Sequence, residues 1–182
     1  MKLYFVTTND FKIKEVEGYL AGTDLQLQPV AYQIQEILNL DLEIVVQDKV
    51  LKAYAHLGHP CVVEHGGLLI KALGNLPGGL SKVVWDTVGD KICSFLGPSD
   101  SRNAIAQSVI GYCDGQRVHL FKGETHGVIA DAGRGSYAFQ WDPVFIPDGE
   151  TKTYAEFGFP DKSKYSQAAK AWDLLVRTLK VT

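Results

Sequence analysis

An α/β fold built around a mixed, twisted sheet with flanking helices is predicted for this 182-residue chain by two observations. Apolar β-prone segments alternate with segments of helical period along the whole length. No internal repeat, low-complexity tract or linker interrupts that alternation. With 46% hydrophobic residues the chain can bury a full core, and residues 1–182 read as a single domain.

Taken in order, residues 2–7 make a short strand. From Asp10 the pattern turns helical, with Ile13, Val16 and Leu20 on one face and Gly22 ending the run. "LQLQPVAYQIQEI" alternates apolar and polar side chains and reads as a strand with Glu36 near its end. Leu42, Val46, Val50, Ala53 and Leu57 form one stripe of a helix over 42–57. "CVVEHGGLLIKAL" reads as two strand-like pieces broken at Glu64-His65-Gly66-Gly67, a weak point for folding that calls for a reason. "GNLPGGLSK" is a loop by its glycines and proline. Residues 101–113 read as a helix or as a helix running into a strand, and periodicity does not settle which. Asp114-Gly115 between β-prone flanks signals a hairpin, and a strand followed by a long glycine-bearing loop comes after it. Ala168, Trp172, Leu175 and Leu179 carry a last helix towards the C-terminus.

The net charge of -3 argues against a broad nucleic-acid surface, though it leaves room for a local group of lysines. No apolar run is long enough to span a membrane, and "MKLYFVTTND" has no signal-peptide pattern. Cys61, Cys93 and Cys113 are odd in number and far apart, which suits reduced, buried thiols and a cytoplasmic location.

Three stretches carry candidate chemistry. "TTNDFK" passes from strand to helix through Thr7, Thr8 and Asn9 and places Lys12 in the first turn. Helix dipoles favour negative side chains there, so a lysine points to a bound anion such as a phosphate chain; a plain N-cap with exposed lysines is the alternative. Glu36, Glu64 and His65 stand at the ends of apolar runs, where they can ligate a divalent metal or activate water. Glu36 also reads as a solvent-facing edge residue, whereas Glu64, between buried-looking flanks, needs a partner. "AFQWDPVF" offers Phe139 and Trp141 for stacking on a base and Asp142 for hydrogen bonding, or else two core aromatics and a pre-proline turn. Lys49, Lys52, Lys162 and Lys164 read locally as helix-surface or capping-region residues, and no Walker-type loop occurs.

Together and in order, these motifs resemble the house-cleaning pyrophosphatases that hydrolyse inosine and xanthosine triphosphates. Thr7, Thr8, Asn9, Lys12 and Glu15 follow that family's T-G-N-x-x-K-x-x-E motif with one change, at the glycine. Glu36 corresponds to its Pro-Glu, and Lys52-Ala53 to its helix lysine, with Lys49 as a competing match. "EHGGL" falls on its acidic pair, "LGNLPGG" on its glycine-proline loop and "FQWDPVF" on its F-G-[YW]-D-P-x-F. The similarity runs from residue 2 to about residue 175.

The resemblance implies an elongated fold of two lobes with the active-site cleft between them, commonly as a homodimer. It implies cleavage of a nucleoside triphosphate to the monophosphate and pyrophosphate, dependent on Mg²⁺ with Mn²⁺ as the alternative. Thr7, Thr8, Asn9, Lys12 and Lys52, with Lys49 and Lys82, would hold the phosphates. Glu36 and Glu64 would hold the metal, and Glu64 and His65 would orient or activate the water. Phe139, Gln140, Trp141, Asp142, Lys162, Ser166 and Gln167 would enclose the base.

Two departures accompany the match. His65 replaces the second acid, and neutral imidazole is a poorer ligand for hard Mg²⁺ while remaining a candidate general base. Ser166-Gln167-Ala168 replaces the S-H-R that reads the 6-oxo group, and Gln167 can donate or accept. Two functions are therefore open: a pyrophosphatase with altered base preference, or a catalytically impaired nucleotide-binding sensor.

Overall fold

The structure, a computed structural model, describes residues 2–136, 139–158 and 161–180. Among the described residues seven strands are formed: β1 (Lys2–Val6), β2 (Gln26–Val30), β3 (Cys61–Ile70), β4 (Pro77–Gly78), β5 (Asn103–Cys113), β6 (Val118–Ile129) and β7 (Phe145–Pro147). The helices are α1 (Asp10–Leu20), α2 (Leu42–Leu57), α3 (Ser81–Val88), α4 (Tyr154–Phe157) and α5 (Gln167–Lys180). They surround one sheet of order β2-β1-β3-β5-β6-β7, with β4 added to β3. β1 pairs in parallel with β2 and β3, and every other pairing is antiparallel, so the sheet is mixed.

Strand alternation divides the core between the two faces. Leu3 and Phe5 of β1 and Val62 of β3 pack under α1 and α5, against Val16, Leu20, Trp172 and Leu175. Their neighbours Val6 and Val63 face the other way, against Val46, Val50 and Ala53 of α2. At the far end of the long strands a third cluster joins Leu68, Ile70, Ala104 and Ile129 to Trp141, Phe145 and Tyr154. β3 and β5 run through all of this, and residues near the middle of β3 lie where the clusters meet.

Three expectations are corrected by these elements. β3 is one continuous strand, because its ladder with β5 runs unbroken from Cys61 opposite Cys113 to Ile70 opposite Ala104. The glycines serve a different purpose: a Cβ on Gly67 would stand 2.5 Å from the Gly78 carbonyl oxygen, so its absence lets β4 close against β3. Residues 103–113 are strand, since they pair with β3 on one side and β6 on the other. β2 stops at Val30 as an edge strand carrying Pro29, and Glu36 lies in the loop that leads to α2.

Local signals account for the helix ends. The Asn9 side-chain oxygen accepts from the N–H groups of Phe11 and Lys12 at 3.0 and 3.1 Å. Asp41 caps α2 through the Glu43 N–H, and Gly58 closes it in the left-handed conformation. Ser166 Oγ accepts from Ala168 and Ala169 at the start of α5. That helix lies directly on Gly123 of β6, where an added Cβ would stand 2.0 Å from the Gln167 carbonyl oxygen. Gly123→Ala is expected to cost roughly 1–3 kcal/mol by overpacking. Scanning calorimetry should show the melting temperature falling by roughly 3–10 °C.

Candidate active site

A cavity of about 290 Å³ opens beside the middle of β3. Thr7, Thr8, Asn9 and Lys12 reach it from the β1–α1 junction, and Gln33 to Glu36 from the loop after β2. Lys49 enters from α2, Glu64 and His65 from β3, Lys82 from α3, and Gln140 from the loop before Asp142. Lys52 does not line it: its ammonium binds the Gln35 carbonyl at 2.9 Å and Asp48 at 2.7 Å on the outer side of α2. Lys49, one turn earlier, is the helix lysine that faces the cavity. Lys82 borders the cavity while paired with Asp86, four residues on.

The junction is both a capped helix start and part of the cavity wall. Thr7 Oγ accepts from the Asn9 N–H at 3.1 Å, and Thr8 Oγ donates to Gln33 at 3.2 Å. Capping and anion contact are thus compatible, because the cap engages Asn9 while the Lys12 side chain extends into the cavity.

Glu64 is buried and fully partnered. One carboxylate oxygen accepts from Ser108 at 3.0 Å and lies 3.4 Å from the Lys12 ammonium; the other accepts from the Trp172 indole at 3.2 Å. Burial pushes its pKa up, but Lys12 and the hydrogen bonds from Trp172 and Ser108 outweigh it, and the carboxyl is held below its ordinary value. Glu36, about one-third exposed at 34%, is paired with Lys49 at 2.5 Å. Burial again opposes ionisation there, and His65 and Lys49 together hold the pKa well below the usual carboxylate range. Lys49 also donates to the Glu64 carbonyl at 3.2 Å, so one ammonium ties the loop to β3.

His65 is oriented by a backbone bond. Its Nε2 lies 2.8 Å from the Gly79 carbonyl oxygen, and because a carbonyl only accepts, Nε2 carries the hydrogen. Nδ1 is then the nitrogen turned to Glu36, 3.5 Å from its carboxylate. Among the described residues no group of three or more His, Cys, Asp or Glu side chains gathers to hold a metal. Glu36 and His65 make a pair, while the oxygens of Glu64 are engaged elsewhere.

A second, smaller cavity of about 20 Å³ adjoins the first, sharing Lys12, Glu64, Gly66 and Gln140 with it. At its base the buried Lys162 ammonium lies 2.9 Å from Glu15 and 2.7 Å from Asp142. One cation serves two carboxylates, so burial dominates for both: Glu15 is pushed up, and Asp142 up to about 6. Lys162 is itself raised, because its two carboxylates outweigh the burial that opposes its charge. Phe139 stacks on Phe11 at a ring separation of 4.6 Å. Trp141 is buried against Phe145 and Tyr154 and also lines the cavity. Gln167 lines the cavity with its side-chain oxygen 3.2 Å from the Tyr154 hydroxyl. Ser166 caps α5 and meets the Tyr19 hydroxyl at 3.2 Å, and it lines neither cavity.

Four residues at this site carried no role in the sequence reading. Phe11 and Glu15, four apart, share one face of α1, a signal that helical spacing offers. Ser108 and Trp172 lie 44 and 108 positions from Glu64, and only the strand pairing and the docking of α5 bring them to it.

The Ham1 family model matches residues 3–178. The chain is 37% identical over 179 residues to the dITP/XTP pyrophosphatase of Hyperthermus butylicus, covering 98% of this chain and 94% of that protein. It is 36% identical over 173 residues to inosine triphosphate pyrophosphatase 2 of Trypanosoma cruzi, covering 93% and 88% respectively. The Ham1 protein of Coxiella burnetii has the same fold, with a TM-score of 0.86 over 100% of both chains at 22% identity. The Staphylococcus aureus Ham1 protein gives 0.82 over 99% of this chain and 98% of its own, also at 22% identity.

Proposed function

The chain belongs to the Ham1 family, and from that premise we propose that it hydrolyses nucleoside triphosphates to the monophosphate and pyrophosphate, with residues 1–182 acting as one catalytic unit. Inosine and xanthosine triphosphates are the first substrates to expect, with base preference altered at Gln167 and Ala168. The observation that carries this reading is one cavity in which Lys12 and Lys49 stand beside Glu36, Glu64 and His65. A triphosphate needs cations and precise positioning more than covalent help, and both are at hand there. The β1–α1 junction would take phosphate oxygens through Thr7, Thr8 and Asn9. Lys12 and Lys49, now held by carboxylates, would turn to the phosphates.

Glu36 suits a divalent metal best, because its ionised carboxylate is partly exposed and its oxygens are hard donors. Glu64 has its oxygens bonded and serves rather to place Lys12. When bound, Mg²⁺ would neutralise phosphate charge, and Mn²⁺, which takes the same oxygen ligands, is a second suitable ion. The hydrogen bond from His65 Nε2 to Gly79 turns Nδ1 towards Glu36 and the cavity; once a metal takes the Glu36 carboxylate, Nδ1 in its unprotonated form is free to take a proton from water. His65 is thus the proposed base. The exposed Leu38 and Leu40 ahead of α2 support a homodimer, and the buried, unpaired thiols of Cys61, Cys93 and Cys113 support a cytoplasmic location. Among the described residues no helix is long and apolar enough to cross a membrane.

The test is pyrophosphate release from a panel of standard and modified nucleoside triphosphates, with Mg²⁺ and with Mn²⁺. Turnover of inosine or xanthosine triphosphate is expected. Binding without turnover of any member would contradict the enzyme reading and favour the sensor.

A further inference from the structure

We propose that Phe11 is the second wall of the base site, so that the nucleobase enters between the Phe11 and Phe139 rings. This deepens the reading of the cleft given above and rests on it. The two rings are parallel to within 6° and 4.6 Å apart, and both are only half-buried; Phe139 lines the smaller cavity, and Phe11 of α1 packs on its ring. A parallel, partly exposed aromatic pair has four π surfaces, and a flat base inserted between the rings touches two of them. The Lys162 ammonium sits 5.7 Å from the Phe11 centroid and 5.9 Å from that of Phe139, beside the seam between the rings. A base in that seam would present its edge to Lys162 and Asp142, which carry a donor and an acceptor.

As they stand the rings touch, so the base must part them until their planes lie about 7 Å apart, two stacking contacts of roughly 3.5 Å each. Phe11 is fixed in the first turn of α1, where its N–H is held by the Asn9 cap. The movement therefore falls to Phe139, which lies outside the regular elements. Its neighbour Gln140 adopts the left-handed backbone region at φ 48°, an unfavoured conformation that a rearrangement of this loop can release. Gln140 also borders both cavities, so the same movement links the base seam to the phosphate cavity.

The test compares the wild type with Phe11→Ala, Phe11→Leu and Phe11→Trp by calorimetric titration with α,β-methylene inosine triphosphate and, separately, with inorganic tripolyphosphate. Phe11→Ala is expected to weaken nucleotide binding by about 10- to 100-fold, the scale of one lost base stack, and to leave tripolyphosphate unchanged. Phe11→Trp should hold or tighten the nucleotide. Phe11→Leu keeps the apolar volume and should show the same selective loss even if the alanine variant fails to fold. Equal or tighter nucleotide binding after loss of the ring would overturn the proposal and make Phe11 a plug. An equal loss for both ligands would overturn it as well, and would place Phe11 in support of the phosphate junction. Because titration does not depend on turnover, a wild type that binds nucleotide without releasing pyrophosphate contradicts the enzyme reading and leaves this contact measurable.

Discussion

Lys162→Met is expected to destabilise the fold by about 3–5 kcal/mol, because it strands two buried carboxylates without their shared cation. For a chain of this size that lowers the melting temperature by roughly 6–20 °C. The cause is the geometry of one ammonium held at 2.9 Å from Glu15 and 2.7 Å from Asp142 inside the protein. Methionine fills much of the lysine volume, so the loss is electrostatic. The same cluster has a pH signature. The folded pKa of Asp142, about 6, exceeds its ordinary value of 3.8. Between those values the folded state binds more protons than the unfolded chain, so this group lowers stability as pH rises from about 4 to about 6 and contributes no slope above that. Glu36 and Glu64 have the opposite sign: their carboxyls are held below the ordinary value, and the stability they confer is lost on acidification below about pH 4.5. Urea titrations across this range should show the decline from pH 4 to 6 reduced in Asp142→Asn, with the raised Glu15 carboxyl supplying what remains, and the acid loss retained.

Glu36→Gln is expected to reduce kcat by about 10²- to 10³-fold while leaving the fold intact, the scale for removing one charged group from a site that stabilises a developing charge. Glu36 is partly exposed on a loop, and the Lys49 ammonium it releases still has the Glu64 carbonyl as an acceptor. Stability should therefore change by less than about 1 kcal/mol. The glutamine retains the shape and loses the charge, so raising the Mn²⁺ or Mg²⁺ concentration should recover part of the activity. An unchanged rate at saturating metal would remove Glu36 from the chemistry.

The fold was legible where periodicity was strong. α1, α2, the β5–β6 hairpin and α5 all lie where apolar spacing or the Asp114-Gly115 turn placed them. The errors share one physical source, which is that strand pairing is a long-range interaction. Gly66 and Gly67 look like a break in isolation but lie inside a ladder of ten paired residues on β5. Residues 103–113 have no decisive period of their own because successive side chains of that strand are buried on both faces of the sheet.

The site divided in the same way. Motif order brought Thr7, Asn9, Lys12, Glu36, Glu64 and His65 to one cavity in the structure. Local patterns could not choose between Lys49 and Lys52, since both occupy the same helix and only its packing shows which side faces inward. Nor could they reveal that Ser166 is spent on a helix cap, or that Trp172, on the last helix, donates to Glu64.

That choice of lysine supplies the most direct test of the central claim, that the triphosphate lies in the cavity between the β1–α1 junction and α2. The steady-state constants of Lys49→Met and Lys52→Met should be compared on the best substrate of the panel. Lys49→Met is expected to raise KM or lower kcat/KM at least about tenfold, the cost of one lost charge-assisted contact, while Lys52→Met behaves as the wild type. The opposite pattern, with Lys52 essential and Lys49 dispensable, would contradict the account and place the phosphates on the other side of the helix.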